Sequence, residues 1–383
     1  MLIQRQPPLH LTYCLNVHPG ETWEENFRAI REHALAVRRR VSPILPFGLG
    51  LRLGAPSAAV LARPERLAEF RRFLADHDLY VFTINGFPYG PFHGAPVKEQ
   101  VYAPDWRTPE RRAYTQTLAE ILVALLPDGV NGSISTVPGS FKAWMRGPSD
   151  TRELVAGLLA CAEALARIRR ETGREICLAL EPEPGCVIET TEETVSFFRE
   201  HLLRSDDAAR HLGVCFDVCH AAVQREDPAA ALAWLRAAGL RVPKIQLSAA
   251  LEIPLRPGAW DELAPFEDST YLHQTTLLSP RGRMCSWLDL PQAREDLRAA
   301  PASGTLRIHY HVPLHWTGGG RLRSTAGLMT REFFSQMAEG GTEHLEIETY
   351  TFHVLPEPLQ QAGIVDSIVR EYGWVLERVR RSV

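Results

Sequence analysis

Residues Gly213 to His220, with the sequence GVCFDVCH, decide how the rest of the chain is interpreted. Small or acidic side chains alternate there with large apolar ones, and a period of two predicts a β-strand. Asp217 ends this strand and His220 follows three positions later, so the carboxylate and the imidazole overlook the same spot. A pair of this kind at the C-terminal end of a strand suggests a metal or substrate site.

The composition is that of an ordinary globular protein with a sizeable core, since 45% of the 383 residues are hydrophobic and 23% are charged. The net charge of -4 leaves no basic surface for a phosphate backbone, which disfavours nucleic acid as a partner. No stretch approaches the roughly 18 consecutive apolar residues of a membrane span. The seven cysteines, an odd number without a CxxC pair, are typical of a reduced, cytoplasmic protein. The sequence leaves an oligomer possible.

Strand and helix patterns alternate along the chain, and one helix is predicted to run from Asp217 through Trp234. Several helices begin at recognisable capping residues, namely Thr22 with Glu25, Thr108 with Pro109, Asp150 with Glu153, and Thr190 with Glu193. Nine stretches have strand patterns: 11–17, 47–53, 80–85, 132–137, 176–181, 213–218, 242–248, 305–312 and 344–350.

The strands carry large aliphatic residues on one face and small residues on the other, which favours a parallel sheet closed into a (β/α)8 TIM barrel. A doubly wound open sheet is the alternative, weakened because no glycine-rich phosphate turn follows the first strand. A barrel takes eight strands, so one of the nine must lie outside it, and 305–312 is a candidate. We expect one domain over 1–383, with 249–303 as an insertion over the C-terminal face of the barrel. Aromatic residues at 87–92 and Trp316 are predicted to form a lid.

Glu181, Asp217, Gln246 and Glu348 each occupy the last inward position of a predicted strand. In a barrel these positions converge, and three neighbouring carboxylates repel each other unless a divalent cation neutralises them. Oxygen-rich ligands favour Mn²⁺, Mg²⁺ or Co²⁺, with Zn²⁺ possible. For each residue alone, the simpler alternative is a buried acid paired with an arginine or a helix end.

Six further side chains are predicted to bind substrate. His309 and His311 share one strand face, where they either reach a metal or form a polar lining beneath the insertion. His220 is predicted to be a metal ligand or a group that hydrogen-bonds substrate, and the simpler alternative is a satisfied polar residue after a strand. Polar residues at other predicted strand ends would read substrate hydroxyls; these are Asn16, His18 and Asn85.

Four short motifs resemble the xylose isomerase-like TIM-barrel superfamily: ALEPEPG around Glu181, FDVCH around Asp217, KIQLS around Gln246 and IETYT around Glu348. The resemblance implies that Glu, Asp, Gln and Glu ligate the metal in that order, as in hydroxypyruvate isomerases and inosose dehydratases. Tagatose epimerases have a histidine at the third place. The 102 positions between Gln246 and Glu348 include His311, which is therefore an alternative third ligand.

A closer resemblance, covering nearly the whole chain, is to EboE-type metabolite-traffic proteins of secondary metabolism. It is carried by four stretches, LTYCLNVHPGETW at 11–23, NGFPYGPFHG at 85–94, RIHYHVPLHW at 307–316 and ETYTF at 348–352.

The leading hypothesis is a metal-dependent isomerase or epimerase of a small polyhydroxylated carbonyl compound, such as a sugar, sugar phosphate or cyclitol. Glu181 and Glu348 would remove and return a proton through a metal-bound enediolate. Two alternatives remain open. One is a zinc hydrolase of the endonuclease IV type, and the other is a non-catalytic metabolite-binding protein of a metabolite-traffic system.

Overall fold

The computed structural model describes residues 1–94, 96–299 and 302–382. Within them the chain forms strands that we number in chain order: β1 (Leu2–Arg5), β2 (Pro8–Tyr13), β3 (Phe47–Arg52), β4 (Leu79–Asn85), β5 (Gly132–Thr136), β6 (Ile176–Leu180), β7 (Leu212–Asp217), β8 (Lys244–Leu247), β9 (Leu251–Leu255), β10 (Thr275–Leu278), β11 (Met284–Trp287), β12 (Gly304–Ile308), β13 (Gly318–Gly319), β14 (Leu322–Ser324) and β15 (His344–Ile347).

Eight parallel strands form a barrel in the order β2-β15-β8-β7-β6-β5-β4-β3. A parallel bridge between Cys14 and Gly50 closes the ring beside β2 and β3. The strand β1 adds to β2 in antiparallel pairing. The predicted (β/α)8 barrel is confirmed.

Helices cover the outside of the barrel. They are α1 (Trp23–Ala29), α2 (Leu35–Val41), α3 (Ala55–Leu61), α4 (Pro64–Asp76), α5 (Pro109–Leu125), α6 (Pro148–Thr172), α7 (Thr191–Phe197), α8 (Asp206–His211), α9 (Val218–Val223), α10 (Pro228–Ala237), α11 (Ala259–Leu263), α12 (Leu290–Ala299), α13 (Arg331–Ala338), α14 (Glu357–Gln360) and α15 (Ile364–Ser382). One turn of π-helix, Ile30–Ala34, joins α1 to α2. No helix among the described residues is apolar over a length that would cross a bilayer.

The predicted capping boxes at Thr22 and Thr190 are both present, and Thr108 caps α5. The prediction for Asp150 is wrong. The helix α6 begins earlier, with Pro148 in its first turn after Gly147, and the Asp150 carboxylate accepts a hydrogen bond from the Arg146 amide.

Two predicted elements have different bounds. The first strand was expected over 11–17, but β2 ends at Tyr13 and a 3₁₀ turn occupies Leu15–Val17. The helix expected from Asp217 to Trp234 is divided into α9 and α10. Between them Arg225 adopts a positive φ of 65°, and Asp227 caps the second helix.

The ninth candidate strand lies outside the barrel. Strand β12 pairs antiparallel with β9 and β10 in a second sheet of order β11-β10-β12-β9-β14-β13. Much of 249–303, expected to be irregular, is therefore antiparallel sheet followed by α12. Residues 300 and 301 of that predicted insertion lie outside the described residues.

The barrel interior contains an ion pair between Lys244 and Glu346, with 2.6 Å between Nζ and Oε2 and both side chains fully buried. Burial lowers the pKa of the Lys244 ammonium, but the carboxylate of Glu346 outweighs it and the pKa is raised overall. A Cβ atom at Gly50 would overlap the Glu346 carboxylate, so the absence of a side chain there makes room for this pair.

Candidate metal and substrate site

Strand register brings the four predicted ligands together at the C-terminal end of the barrel. We call these residues, Glu181, Asp217, Gln246 and Glu348, the oxygen group. Asp217 ends β7 and lies beside Gln246 of β8, and Gln246 in turn pairs with Glu346 of β15. Glu348 lies two residues beyond Glu346 on the same face. Glu181 directly follows β6 and donates its amide to the Thr136 carbonyl at 3.0 Å.

One oxygen of Glu348 is held by three amide groups. Its Oε1 accepts hydrogen bonds from Asn16 Nδ2 at 2.8 Å, Asn85 Nδ2 at 3.0 Å and Gln246 Nε2 at 3.0 Å. Asp217 is held in the same way, because its Oδ1 accepts from the His220 amide at 2.9 Å and from Ser248 Oγ at 2.8 Å. The carboxylates therefore have fixed orientations.

Four further oxygen atoms at this place are buried and have no hydrogen-bond donor among the described residues. They are Glu181 Oε2, Asp217 Oδ2, Gln246 Oε1 and Asn16 Oδ1. A buried polar atom left unpaired costs on the order of 1–3 kcal/mol. Ligand oxygens of Glu181, Asp217 and Glu348 lie within 4.8 Å of one another. The donor set fits a divalent cation that prefers oxygen ligands.

The two glutamates have strongly perturbed acidities. Burial raises the pKa of Glu181 well above its usual range, and the neighbouring carboxylates of Glu348 and Asp217 raise it further. Burial likewise raises the pKa of Glu348, together with Asp217 and Glu346, whereas Lys244 acts in the opposite direction. Both carboxyl groups therefore hold a proton more tightly than a free carboxyl group does, and a positive charge beside them would act in the opposite direction.

Three predicted histidines lie together next to the carboxylates. We call these residues, His220, His309 and His311, the histidine group. His309 Nε2 lies 3.2 Å from His220 Nε2 and 3.1 Å from His311 Nε2, and all three rings are buried. Burial lowers the pKa of His309 well below its usual range and lowers the pKa of His311 to about 4. Both are neutral at physiological pH.

His18 does not join the other predicted residues. Its Nε2 contacts the Tyr13 hydroxyl at 2.9 Å, and its ring stacks on His33 with 4.6 Å between centroids. The 3₁₀ turn at Leu15–Val17 directs Asn16 towards Glu348 and carries His18 to a different surface cavity. This turn replaces the strand that the prediction assumed.

Several site residues were not predicted. Glu183 Oε1 accepts hydrogen bonds from Tyr102 Oη at 2.9 Å and Gln274 Nε2 at 3.2 Å, and burial raises the pKa of its carboxyl group. Tyr350 Oη lies 3.4 Å from His309 Nε2. The EPEPG sequence, which repeats an acid two residues after Glu181, could have indicated Glu183. No comparable signal marks Tyr102 or Gln274.

A cavity with an empty volume of about 520 Å³, part of it open to solvent, reaches Glu181 and Glu348 as well as His220 and His309. Five aromatic side chains belong to its walls: Phe87, Phe92, Tyr102, Tyr271 and Tyr350. Phe87 and Phe92 belong to the predicted lid. Trp316 instead packs beside Phe266, with 6.3 Å between ring centroids, and is not among the described residues that line the cavity.

Solved structures with the same fold align with this chain over nearly its whole length. A xylose isomerase-like TIM barrel protein from Mycobacterium smegmatis in complex with magnesium is 13% identical and has a TM-score of 0.54, covering 98% of this chain and 97% of its own. A D-tagatose 3-epimerase-like protein is 12% identical with a TM-score of 0.53 and 98% coverage of both chains. An L-ribulose 3-epimerase is 12% identical with a TM-score of 0.52, covering 98% and 95%. At these identities the likeness shows the fold alone.

Among curated proteins, no sequence matches the chain. The comparisons support the predicted superfamily, and nothing in them confirms the EboE-type subfamily. The model of the family described as xylose isomerase-like TIM barrel matches residues 52–268, more than half of the sequence. The chain belongs to the xylose isomerase-like TIM barrel family.

Proposed function

We propose that the protein is a divalent-metal-dependent isomerase or epimerase of a small polyhydroxylated carbonyl compound. The observation that carries this proposal is the set of buried, unpaired oxygen atoms on Glu181, Asp217 and Gln246 beside Glu348. A cation bound there would polarise a substrate carbonyl group. In this proposal Gln246, rather than His311, is the third ligand, because Gln246 Nε2 binds Glu348 and leaves Oε1 free.

Glu181 and Glu348 are the proposed acid and base. The two side chains lie on opposite sides of the oxygen group, and both line the cavity. Burial and the neighbouring carboxylates raise the pKa of both groups, which strengthens each carboxylate as a proton acceptor. Asn16 and Asn85 hold Glu348 Oε1, so Glu348 would transfer a proton through its other oxygen.

The cavity favours an uncharged substrate, such as a free sugar or a cyclitol, over a sugar phosphate. Lys98 is the only lysine or arginine among its described lining residues. The Lys98 ammonium already binds Asp289 Oδ2 and the Tyr271 carbonyl, each at 2.7 Å. No unpaired positive charge is therefore supplied for a phosphate group. His220 and His309 line the same cavity, where they would face substrate oxygens.

We place this reaction in the cytoplasm and in a secondary-metabolite pathway. All seven cysteines carry free thiols, which supports a reducing compartment. The pathway assignment is supported by the sequence resemblance to EboE-type proteins.

The test measures exchange of substrate C–H hydrogen with D₂O by NMR, using Mn²⁺-loaded protein and a panel of ketoses, aldoses and cyclitols. We expect Glu348→Gln to reduce exchange by about 10²–10⁴-fold, the usual contribution of a general acid or base. Exchange is measured at a Mn²⁺ concentration that saturates the variant, because an amide oxygen is a weaker ligand than a carboxylate. Glu226→Gln is the control, since Glu226 binds Thr191 away from the cavity. Exchange at the wild-type rate in Glu348→Gln would remove the proposed base.

The histidine group favours one second candidate, a zinc hydrolase of the endonuclease IV type, because such an enzyme needs several nitrogen ligands. The net charge of -4 argues against a DNA substrate. Salt-dependent binding to abasic DNA would support this candidate, and its absence at low salt would eliminate it. A wild-type protein that binds a polyol but exchanges no hydrogen would instead support the non-catalytic, metabolite-binding alternative.

A further inference from the structure

The histidine group has a hydrogen-bond pattern that the proposed isomerase does not require. His220 comes from α9, directly after the barrel strand β7, whereas His309 and His311 follow β12 of the second sheet. Two chain segments that are remote in sequence thus bring three Nε2 atoms together in a buried place. The question is which hydrogen atoms, if any, lie between these nitrogens.

Two of the imidazoles have a defined tautomer. His220 Nδ1 lies 2.8 Å from the Pro182 carbonyl oxygen, and His311 Nδ1 lies 2.8 Å from the Glu348 carbonyl oxygen. A carbonyl oxygen only accepts, so each Nδ1 must carry the hydrogen and donate it. The Nε2 atom of each neutral ring is then unprotonated.

His309 has the same tautomer, and Gln274 fixes it. Gln274 Nε2 lies 3.0 Å from the Pro184 carbonyl and 3.2 Å from Glu183 Oε1, which identifies that atom as the amide nitrogen. The opposite atom, Gln274 Oε1, is therefore the one that lies 2.6 Å from His309 Nδ1. Since this oxygen accepts, His309 Nδ1 donates and His309 Nε2 carries a lone pair.

The lone pair of His309 Nε2 consequently faces that of His220 Nε2 at 3.2 Å and that of His311 Nε2 at 3.1 Å, without a hydrogen between them. The Tyr350 hydroxyl, 3.4 Å from His309 Nε2, supplies at most one hydrogen and does so to one ring. A tetrahedral zinc ion with Zn–N bonds of about 2.05 Å separates its nitrogen ligands by about 3.3 Å. The observed separations are close to that value. Donation of Nδ1 to an oxygen atom is also how metal-binding histidines are usually oriented.

We propose that His220, His309 and His311 bind a second divalent cation, with Zn²⁺ preferred because its ligands are imidazole nitrogens. Oxygen atoms of Asp217 and Glu183 and the Cys219 thiol lie within 4.8 Å of pairs of these nitrogens and are candidates for the fourth position. Asp217 also belongs to the oxygen group, so the two cations would be neighbours. This proposal does not depend on the isomerase reaction, because it concerns metal binding alone.

Cobalt distinguishes the two sites by spectroscopy. Metal-free full-length protein is titrated with Co²⁺, and both the stoichiometry by calorimetry and the visible absorption are recorded. Tetrahedral, nitrogen-ligated Co²⁺ absorbs visible light strongly, whereas octahedral, oxygen-ligated Co²⁺ absorbs weakly. We expect two equivalents per chain and an intense band from one of them. A wild-type protein without the intense band would overturn the histidine site.

Three variants assign the equivalents. His309→Gln should lose the intense band and one equivalent, whereas Glu181→Gln should retain the band and lose the other equivalent. His211→Gln is the matched control, because His211 is buried, contacts the Ile176 carbonyl through Nδ1 at 2.8 Å and has an unpaired Nε2, but lies alone. An unchanged band in His309→Gln would overturn the proposal. If the wild type bound one equivalent with the band intact, the histidine site would stand and the oxygen site of the proposed isomerase would fail.

Discussion

The oxygen group and the histidine group are neighbours, yet the fold builds them in different ways. Glu181, Asp217, Gln246 and Glu348 come from four adjacent barrel strands, and the ladder register fixes their relative positions. His309 and His311 instead directly follow β12 of the second sheet and reach the site only because that sheet lies against the end of the barrel. The oxygen group thus depends on the barrel, and the histidine group depends on the docking of the second sheet.

This difference implies that the oxygen group and the histidine group can be changed separately, except at Asp217, which they share. Glu183 and Gln274 connect the sheets, since Gln274 precedes β10 and binds the carboxylate of Glu183, which follows β6. Variants at the shared residue, in the barrel interior and at the contacts between the two regions test this comparison.

The largest effect is expected for Asp217→Asn. Asparagine retains the Oδ1 acceptor that caps α9, so the fold should survive. Both groups lose their common negative charge. Replacing residues that merely orient metal ligands costs about 10–100-fold in affinity, so removing a ligand should cost more than about 100-fold at each site. Calorimetric Co²⁺ titration measures this, and loss of only one equivalent would show that Asp217 serves a single group.

The next effect, on stability, is expected for Lys244→Met. The variant leaves the Glu346 carboxylate buried without its partner, which costs about 3–5 kcal/mol. The double variant Lys244→Met/Glu346→Leu should recover most of this loss, because neither charge then remains. Urea unfolding gives both values. Equal stability of the single and double variants would contradict the importance of the pair.

A smaller effect on stability is expected for Glu371. Its carboxylate accepts hydrogen bonds from Thr349, which follows the barrel strand β15, and from the Leu314 amide, in the segment after β12 of the second sheet. Burial raises the pKa of Glu371 to about 7. The folded state therefore binds the proton more tightly than the unfolded state, and stability falls as the pH rises from about 4.5 to about 7. The loss should amount to roughly 3 kcal/mol. Glu371→Gln should flatten this part of the stability profile, and an unchanged profile would assign it to other groups.

The smallest effect is expected for Gln274→Met, which removes the acceptor for His309 Nδ1. Affinity for the nitrogen-ligated cation should fall by about 10–100-fold. Affinity at the oxygen group should not change, because Gln274 contacts none of its members among the described residues. A parallel loss at both sites would mean that the second sheet also positions the barrel carboxylates.

The sequence was sufficient to predict the positions of site residues on regular strands. It was insufficient to predict the positions of the other site residues. A period of two placed Glu181, Asp217, Gln246 and Glu348 on one face, since alternation and register are local properties. His18 was misplaced because a 3₁₀ turn follows β2, and no periodic pattern predicts where such a turn points.

The remaining contacts arise from packing between distant segments. Gln274 meets Glu183 only when the second sheet lies on the barrel, and Tyr102 reaches Glu183 from the segment between β4 and α5; no local pattern encodes either contact. The histidine strand could be recognised by its alternation, but its position outside the barrel follows from its antiparallel pairing with β9 and β10.

The closure beside Gly50 has a mechanical consequence. In the described residues β2 and β3 share one bridge, between Cys14 and Gly50, whereas every other pair of neighbouring barrel strands shares a ladder of at least three residue pairs. The line between β2 and β3 thus has the fewest backbone pairs in the barrel. Asn16 extends from one side of that line and Asn85 from the other, and both donate to Glu348 Oε1. A small shear along this line would alter how many donors Glu348 Oε1 has, and we expect the acidity of Glu348 to change with it.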